Sequence, residues 1–100
     1  MRSGYRLQWS ERATLDLQNV IAYLQDNWTE KEVRNFVRKL DKRLTLISAT
    51  PRLFPMSNKK NNVRRSVLTK QIVIYYETST DVIKIVTLFD TRQDPRKLKV

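Results

Sequence analysis

Residues Tyr5-Arg6-Leu7-Gln8-Trp9 alternate apolar and polar side chains, the period of a half-buried strand. Ser10 follows as an N-cap, with Glu11 in the favourable first turn. Ala13, Leu17, Val20, Ile21, Leu24 and Trp28 then recur at helical spacing, which predicts an amphipathic helix over residues 11–27. Thr29-Glu30-Lys31-Glu32 fits a capping box. Val33, Phe36, Val37, Leu40, Leu44 and Ile47 continue the stripe in a second helix that should stop shortly before Pro51. Arg34, Arg38, Lys39, Lys42 and Arg43 fall on its outer face. Two apolar stripes joined by so short a turn make an antiparallel helical hairpin.

Beyond the hairpin the period changes from helical to strand-like. Leu53-Phe54-Pro55-Met56 reads as a loop that plugs one end of the core, and residues 57–62 as a polar connection. Three strands are predicted at Val63 to Leu68, Gln71 to Glu77 and Val82 to Phe89. Thr69-Lys70 and Thr78 to Asp81 are the turns. Gly4 is the one glycine, so tight turns must use Asn, Asp, Ser or Thr. The last two strands are apolar on both faces and should be central. The tail, Asp90 to Val100, is polar and basic, and Pro95 with Asp94 as cap predicts a helical turn to Leu98. The expectation is one α+β domain over residues 1–100. It has an N-terminal strand, an antiparallel helical hairpin and a three-stranded antiparallel meander, with the helices on one face of the sheet and the first strand beside the last.

Charge sharpens this picture. Twenty Lys and Arg stand against ten Asp and Glu, a net charge of +10. The run from Lys59 to Gln71 holds Lys59, Lys60, Arg64, Arg65 and Lys70 with no carboxylate, and leads into Ile72-Val73-Ile74-Tyr75-Tyr76. A small sheet that presents positive charge suits a polyanion or an acidic partner chain. With no Cys, disulfides and thiolate metal sites are excluded; with no His, so are a histidine base and histidine ligation. One glycine excludes a glycine-rich phosphate loop. No apolar stretch has signal or membrane-spanning length, so a soluble, cytoplasmic chain is expected, with no membrane partner and no cofactor.

The residues, in order, resemble the RelE/ParE superfamily of toxins from type II toxin–antitoxin systems. The likeness rests on Tyr5, Trp9-Ser10, Ala13, Asp16-Leu17, Ile21, Tyr23, Phe36, Leu40, Leu46 and the Pro51…Pro55 pair. It continues through Arg64-Arg65, Ile74-Tyr75-Tyr76, Ile83, Ile85, Leu88-Phe89 and Arg92-Gln93-Asp94-Pro95. The resemblance implies two activities on one scaffold. RelE-like members cut mRNA in the ribosomal A site, and ParE-like members poison DNA gyrase. Both are silenced by an acidic antitoxin that wraps the toxin.

RNA cleavage by 2′-OH attack needs a base, an acid and cations around the phosphorane. By resemblance, Arg64 and Arg92 match two cationic positions of the RelE-like set and are the candidate catalytic residues. Ser66 stands where a second lysine is expected, Ile72 where an arginine opens the third strand, and Leu98 near a C-terminal tyrosine. The departures favour the ParE-like, gyrase-directed branch. The alternatives are a ribosome-dependent mRNA endonuclease and a non-toxic module that only holds an antitoxin. Arg64, Arg65, Lys70, Tyr75, Arg92, Arg96 and Lys97 are the expected target-binding residues, and Arg34, Arg38 and Arg65 the expected antitoxin contacts. Each has a structural reading beside it. Arg64 and Arg65 point to opposite faces of a strand, and one of them could instead pair with Glu77 or Asp94. Tyr75 and Tyr76 could stack on bases or pack in the core. Arg92 could simply anchor Asp90 or the chain terminus. Trp9 and Trp28 read as packing residues, and Glu11, Asp16 and Asp26 as helix-surface carboxylates.

Overall fold

The computed structural model describes residues 5–57, 62–92 and 96. Its elements are β1 (Arg6–Trp9), α1 (Glu11–Asn27), α2 (Glu30–Ala49), β2 (Val63–Val67), β3 (Ile72–Thr78) and β4 (Val82–Asp90). The caps are those the sequence requires. The Ser10 hydroxyl accepts from the Ala13 amide at 2.9 Å, and Thr29 with Glu32 closes a capping box at the start of α2. The strands form one sheet in the order β1-β4-β3-β2. The expected meander is antiparallel, and β1 lies beside β4 as expected, running parallel to it with Leu7 opposite Ile83. No helix among the described residues is long and apolar enough to cross a membrane.

Both helices pack on one face. Ile72, Ile74 and Tyr76 of β3 meet Ile83, Ile85 and Leu88 of β4, and Ala13, Leu40, Leu44 and Ile47 cover them from the helices. A smaller cluster of Val63, Val73, Tyr75 and Phe89 lies on the opposite face. The register of β3 on β4 shifts between Tyr75 and Tyr76, so that Val86 is the extra residue of a β-bulge. There α1 clips onto the strand. Ser10 Oγ donates to the Val86 carbonyl at 2.7 Å, and Asp16 Oδ2 accepts the Leu88 amide at 3.1 Å and the Thr87 hydroxyl. Asp16 is therefore a tie between helix and sheet, not a surface carboxylate as its helical position suggested.

Three further expectations change. Arg43 leaves the outer face of α2, where the periodicity put it, and turns in to β2. Its Nη1 donates to Ser66 Oγ at 2.7 Å and to the Val67 carbonyl at 2.8 Å, with the guanidinium 5.5 Å above the Phe54 ring. Trp28 closes the end of α1 as its C-cap, but its side chain is half exposed. The loop after α2 plugs the core only in part: Pro51 is buried and Phe54 packs on the helix-side cluster, whereas Leu53 and Met56 are exposed. That loop also runs along the outer edge of β2. Ser57 donates to the Val63 carbonyl and Arg65 to the Pro55 carbonyl, so this edge is not open for strand addition there. Asn62 takes the positive φ of 67° that enters β2, a conformation asparagine tolerates where glycine is lacking.

Candidate functional site

At one end of the sheet, α1, the start of α2 and the β2–β3 turn enclose a cleft of ≈ 290 Å³. Val20, Leu24, Phe36, Ile72 and Leu88 make it apolar; Tyr23 and Trp28 stand on its rim. The turn that forms one wall contains no glycine. Thr69 replaces it: its hydroxyl accepts from the amides of Gln71 at 3.1 Å and Ile72 at 3.0 Å, and Leu68 and Thr69 both donate to the Ile72 carbonyl. Thr91 then fastens the turn to the end of β4, donating through its amide to the Gln71 carbonyl and through its hydroxyl to the Lys70 carbonyl.

Arg92 stands at the mouth. Its Nε reaches Asp90 Oδ1 at 3.0 Å and its Nη2 reaches Asp90 Oδ2 at 2.7 Å, a bidentate fork. The Arg92 amide also donates to Oδ1 at 2.9 Å. The guanidinium lies 5.3 Å from the centre of the Tyr23 ring, a cation–π contact. The Arg92 side-chain hydrogen bond holds the Asp90 carboxyl below the usual carboxylate range, although partial burial opposes this. The same bond, with Tyr23 second, raises the Arg92 guanidinium still further above neutrality. Anchoring of Asp90 is thus a contact that Arg92 makes.

The remaining sequence candidates scatter. Arg64 faces the helix side, where its Nη1 donates to the Phe54 carbonyl at 2.7 Å. Arg65 lies on the other face of β2, opposite Tyr75 in the register. Neither Arg64 nor Arg65 pairs with a carboxylate among the described residues. Tyr75 is 6% exposed in the small apolar cluster. As a base-stacking platform it is corrected to a packing residue, because Val63, Val73 and Phe89 cover the ring. Tyr76 is buried too, and its hydroxyl donates to the Pro51 carbonyl at 2.7 Å. Lys70 is exposed at the turn, and Arg96 is exposed. Lys97, Lys59, Lys60, Asp94, Leu98 and the helical turn expected at Pro95 to Leu98, apart from Arg96, lie outside the described residues. Arg34 and Arg38 are exposed on the outer face of α2, Arg34 with Glu30 at 3.6 Å. Arg65 projects from the opposite side of the sheet, so one flat partner surface cannot meet all three.

Of the expected cationic positions, the structure joins Lys70 and Arg92 through Thr91. Ile72 is an apolar wall of the cleft, and Ser66 is buried beneath Arg43. Sequence reasoning used Asp90 only as an anchor for Arg92 and Thr69 only as a turn residue, and it missed the rim position of Trp28. The spacing of Asp90 and Arg92, two residues apart at a strand end, was the available signal.

A family model described as the ParE toxin of the type II toxin–antitoxin system, parDE, matches residues 7–95. The chain belongs to the ParE toxin family. ParE membership makes it the toxin of a type II toxin–antitoxin system. Solved structures agree on the fold. A chain of the chromosomal ParDE system from P. aeruginosa superposes with a TM-score of 0.74 at 12% identity, covering 87% of this chain and 96% of that one. The E. coli DinJ–YafQ complex gives 0.64 at 9% identity over 89% and 94%. The YoeB dimer from Staphylococcus aureus gives 0.60 at 19% identity over 87% and 97%. No curated protein matches the chain.

Proposed function

We propose that this ParE-family toxin arrests growth in the cytoplasm by poisoning DNA gyrase without cutting RNA, and that an acidic antitoxin neutralises it. The observation that carries the reading is the state of Arg92. Among the described residues it is the one cation lining the cleft, and an internal carboxylate already fills its fork. Phosphorane stabilisation asks for several unpaired cations around one phosphate, with a base and an acid beside them. Ile72 offers neither charge nor proton there, and Ser66 lies buried beneath Arg43, outside the cleft lining. Arg64 is spent on the Phe54 carbonyl, and the Tyr76 phenol is buried and pushed up to about 12, chiefly by desolvation. A surface that binds and blocks remains. The charge of +10 supports both a nucleoprotein target and an acidic inhibitor. Arg34, Arg38, Lys70, Arg92 and Arg96 are exposed for such contacts.

The test is expression in growing bacteria with replication and translation followed separately. Replication arrest with filamentation and cleaved DNA is the expected result. Early translation arrest with cut mRNA would make the chain a ribosome-dependent endonuclease instead. Normal growth would make it an antitoxin-binding module without toxicity.

A further inference from the structure

Asp90 occupies, from within the chain, the place an external carboxylate would take on Arg92. Both of its oxygens sit in the guanidinium fork, at 3.0 and 2.7 Å, and the pair lies at the mouth of the cleft with Tyr23 beneath the guanidinium. Around this mouth exposed aromatic rings stand among polar side chains, Asn19 and Gln71 in the cleft and Glu30, Glu32 and Lys39 in the hollows beside it. Trp28 is 50% exposed and Tyr23 44%, and further hollows adjoin Trp28, one towards Val33 and one towards Phe36 and Lys39. Half-exposed aromatic side chains over an apolar floor are what a partner's bulky side chain fills. A nucleic acid fits poorly, because a phosphodiester backbone needs a track of cations and, among the described residues, one cation lines the cleft. An acidic polypeptide fits both features: an apolar side chain for the floor and a carboxylate for the fork.

We propose that Asp90 is an internal competitor for Arg92, and that an acidic polypeptide segment docks in the cleft by replacing the Asp90 carboxylate on the guanidinium. This rests on the antitoxin reading above and adds its chemistry. Exchange of one carboxylate for another conserves the ion pair. Arg92 therefore admits an acidic segment to the fork with no net loss of ion pairing, while a neutral segment of the same shape leaves the Asp90 pair in place and docks by the apolar floor alone. The two differ fully once Asp90 no longer competes. Asp90 sets the threshold for that choice.

The experiment titrates the full chain with a synthetic helical peptide of leucines and glutamates, followed by tryptophan fluorescence. A second peptide carries glutamine for glutamate. Asp90→Asn removes the competing charge with little change of shape. It should bind the glutamate peptide about threefold to fivefold more tightly than the parent chain, the upper part of the range of one exposed ion pair. Arg92→Ala should weaken that peptide, and the double variant should show no gain over Arg92→Ala alone. The glutamine peptide should not distinguish the parent chain from Asp90→Asn. Equal or weaker binding by Asp90→Asn, or a gain that persists without Arg92, overturns the exchange. An Arg92 Nε–H nuclear magnetic resonance signal that stays fixed as the parent chain binds the peptide overturns it too, with no variant needed. Failure of the peptide to bind at all would sink the docking site. None of these readouts depends on toxicity, so a gyrase effect in cells can stand or fall separately.

Discussion

Arg43 of α2 holds Ser66 of β2: its Nη1 lies 2.7 Å from the buried serine hydroxyl and 2.8 Å from the Val67 carbonyl. One guanidinium thus joins the second helix to an edge strand and also covers the Phe54 ring. Arg43→Ala would leave the Ser66 hydroxyl buried without this partner and uncover the ring. The expected loss is about 2 kcal/mol, with a fall in melting temperature of about 4–8 °C per kcal/mol. Arg43→Lys should recover only part, because an ammonium cannot reproduce the planar fork over the ring. A melt of Arg43→Ala within experimental error of the parent chain would show that the tie adds no stability.

Asp16 offers a second test of the same kind. The bulge at Val86 leaves the Leu88 amide without a strand partner beyond the end of β1, and Asp16 Oδ2 accepts from it and from Thr87. Asp16→Ala should cost about 2–3 kcal/mol, the range for orphaning a partly buried donor that had a charged acceptor. Asp16→Asn should cost less, since its amide oxygen can still accept from Leu88. Amide hydrogen exchange at Leu88 checks the assignment: it should quicken in the alanine variant more than in the asparagine one.

These two residues also show where sequence reading stops. The helices and the strands of the meander follow from apolar periodicity, because that pattern reports directly which faces meet, and the place of β1 beside β4 follows from its having no hairpin neighbour. Arg43 sits beside the apolar stripe, close enough for a long side chain to bend inward, and the stripe cannot say that it does. Asp16 is recruited by a bulge on a strand some seventy residues later, and bulges leave no period of their own. Leu68 falls outside β2 because its amide turns back to the Ile72 carbonyl in a turn held by the Thr69 hydroxyl. For the cleft, Arg92 was legible as a cation or as the anchor of Asp90. That it makes the second contact over Tyr23 depends on a helix distant in the chain.

Trp28 separates binding from stability. Half its surface is exposed, so Trp28→Ala should lower stability by no more than about 1.5 kcal/mol, well short of the 3–5 kcal/mol of a core tryptophan. A rim aromatic that anchors a partner loses far more on binding, roughly 2 kcal/mol or above. The variant should therefore remain folded by circular dichroism while co-purification with its antitoxin fails. Retained co-purification would remove Trp28 from the partner surface.

Tyr76 gives the fold an alkaline limit. The phenol is buried, donates to the Pro51 carbonyl at 2.7 Å, and titrates near 12 in the folded chain instead of the ordinary 10.0. Burial causes the rise, and the positive charge of Arg64 opposes it. The folded pKa is the higher, so folding favours the protonated phenol. This contribution is complete below about pH 10 and is lost as pH climbs through 12. Lysines titrate in the same window, so the useful quantity is the difference from Tyr76→Phe. That variant should be less stable at neutral pH by about 1 kcal/mol, the worth of one buried hydrogen bond. Its stability should then fall less steeply between pH 10 and 12, and the two curves should converge or cross. Parallel curves across that window in denaturant melts would show that the Tyr76 phenol does not titrate with unfolding.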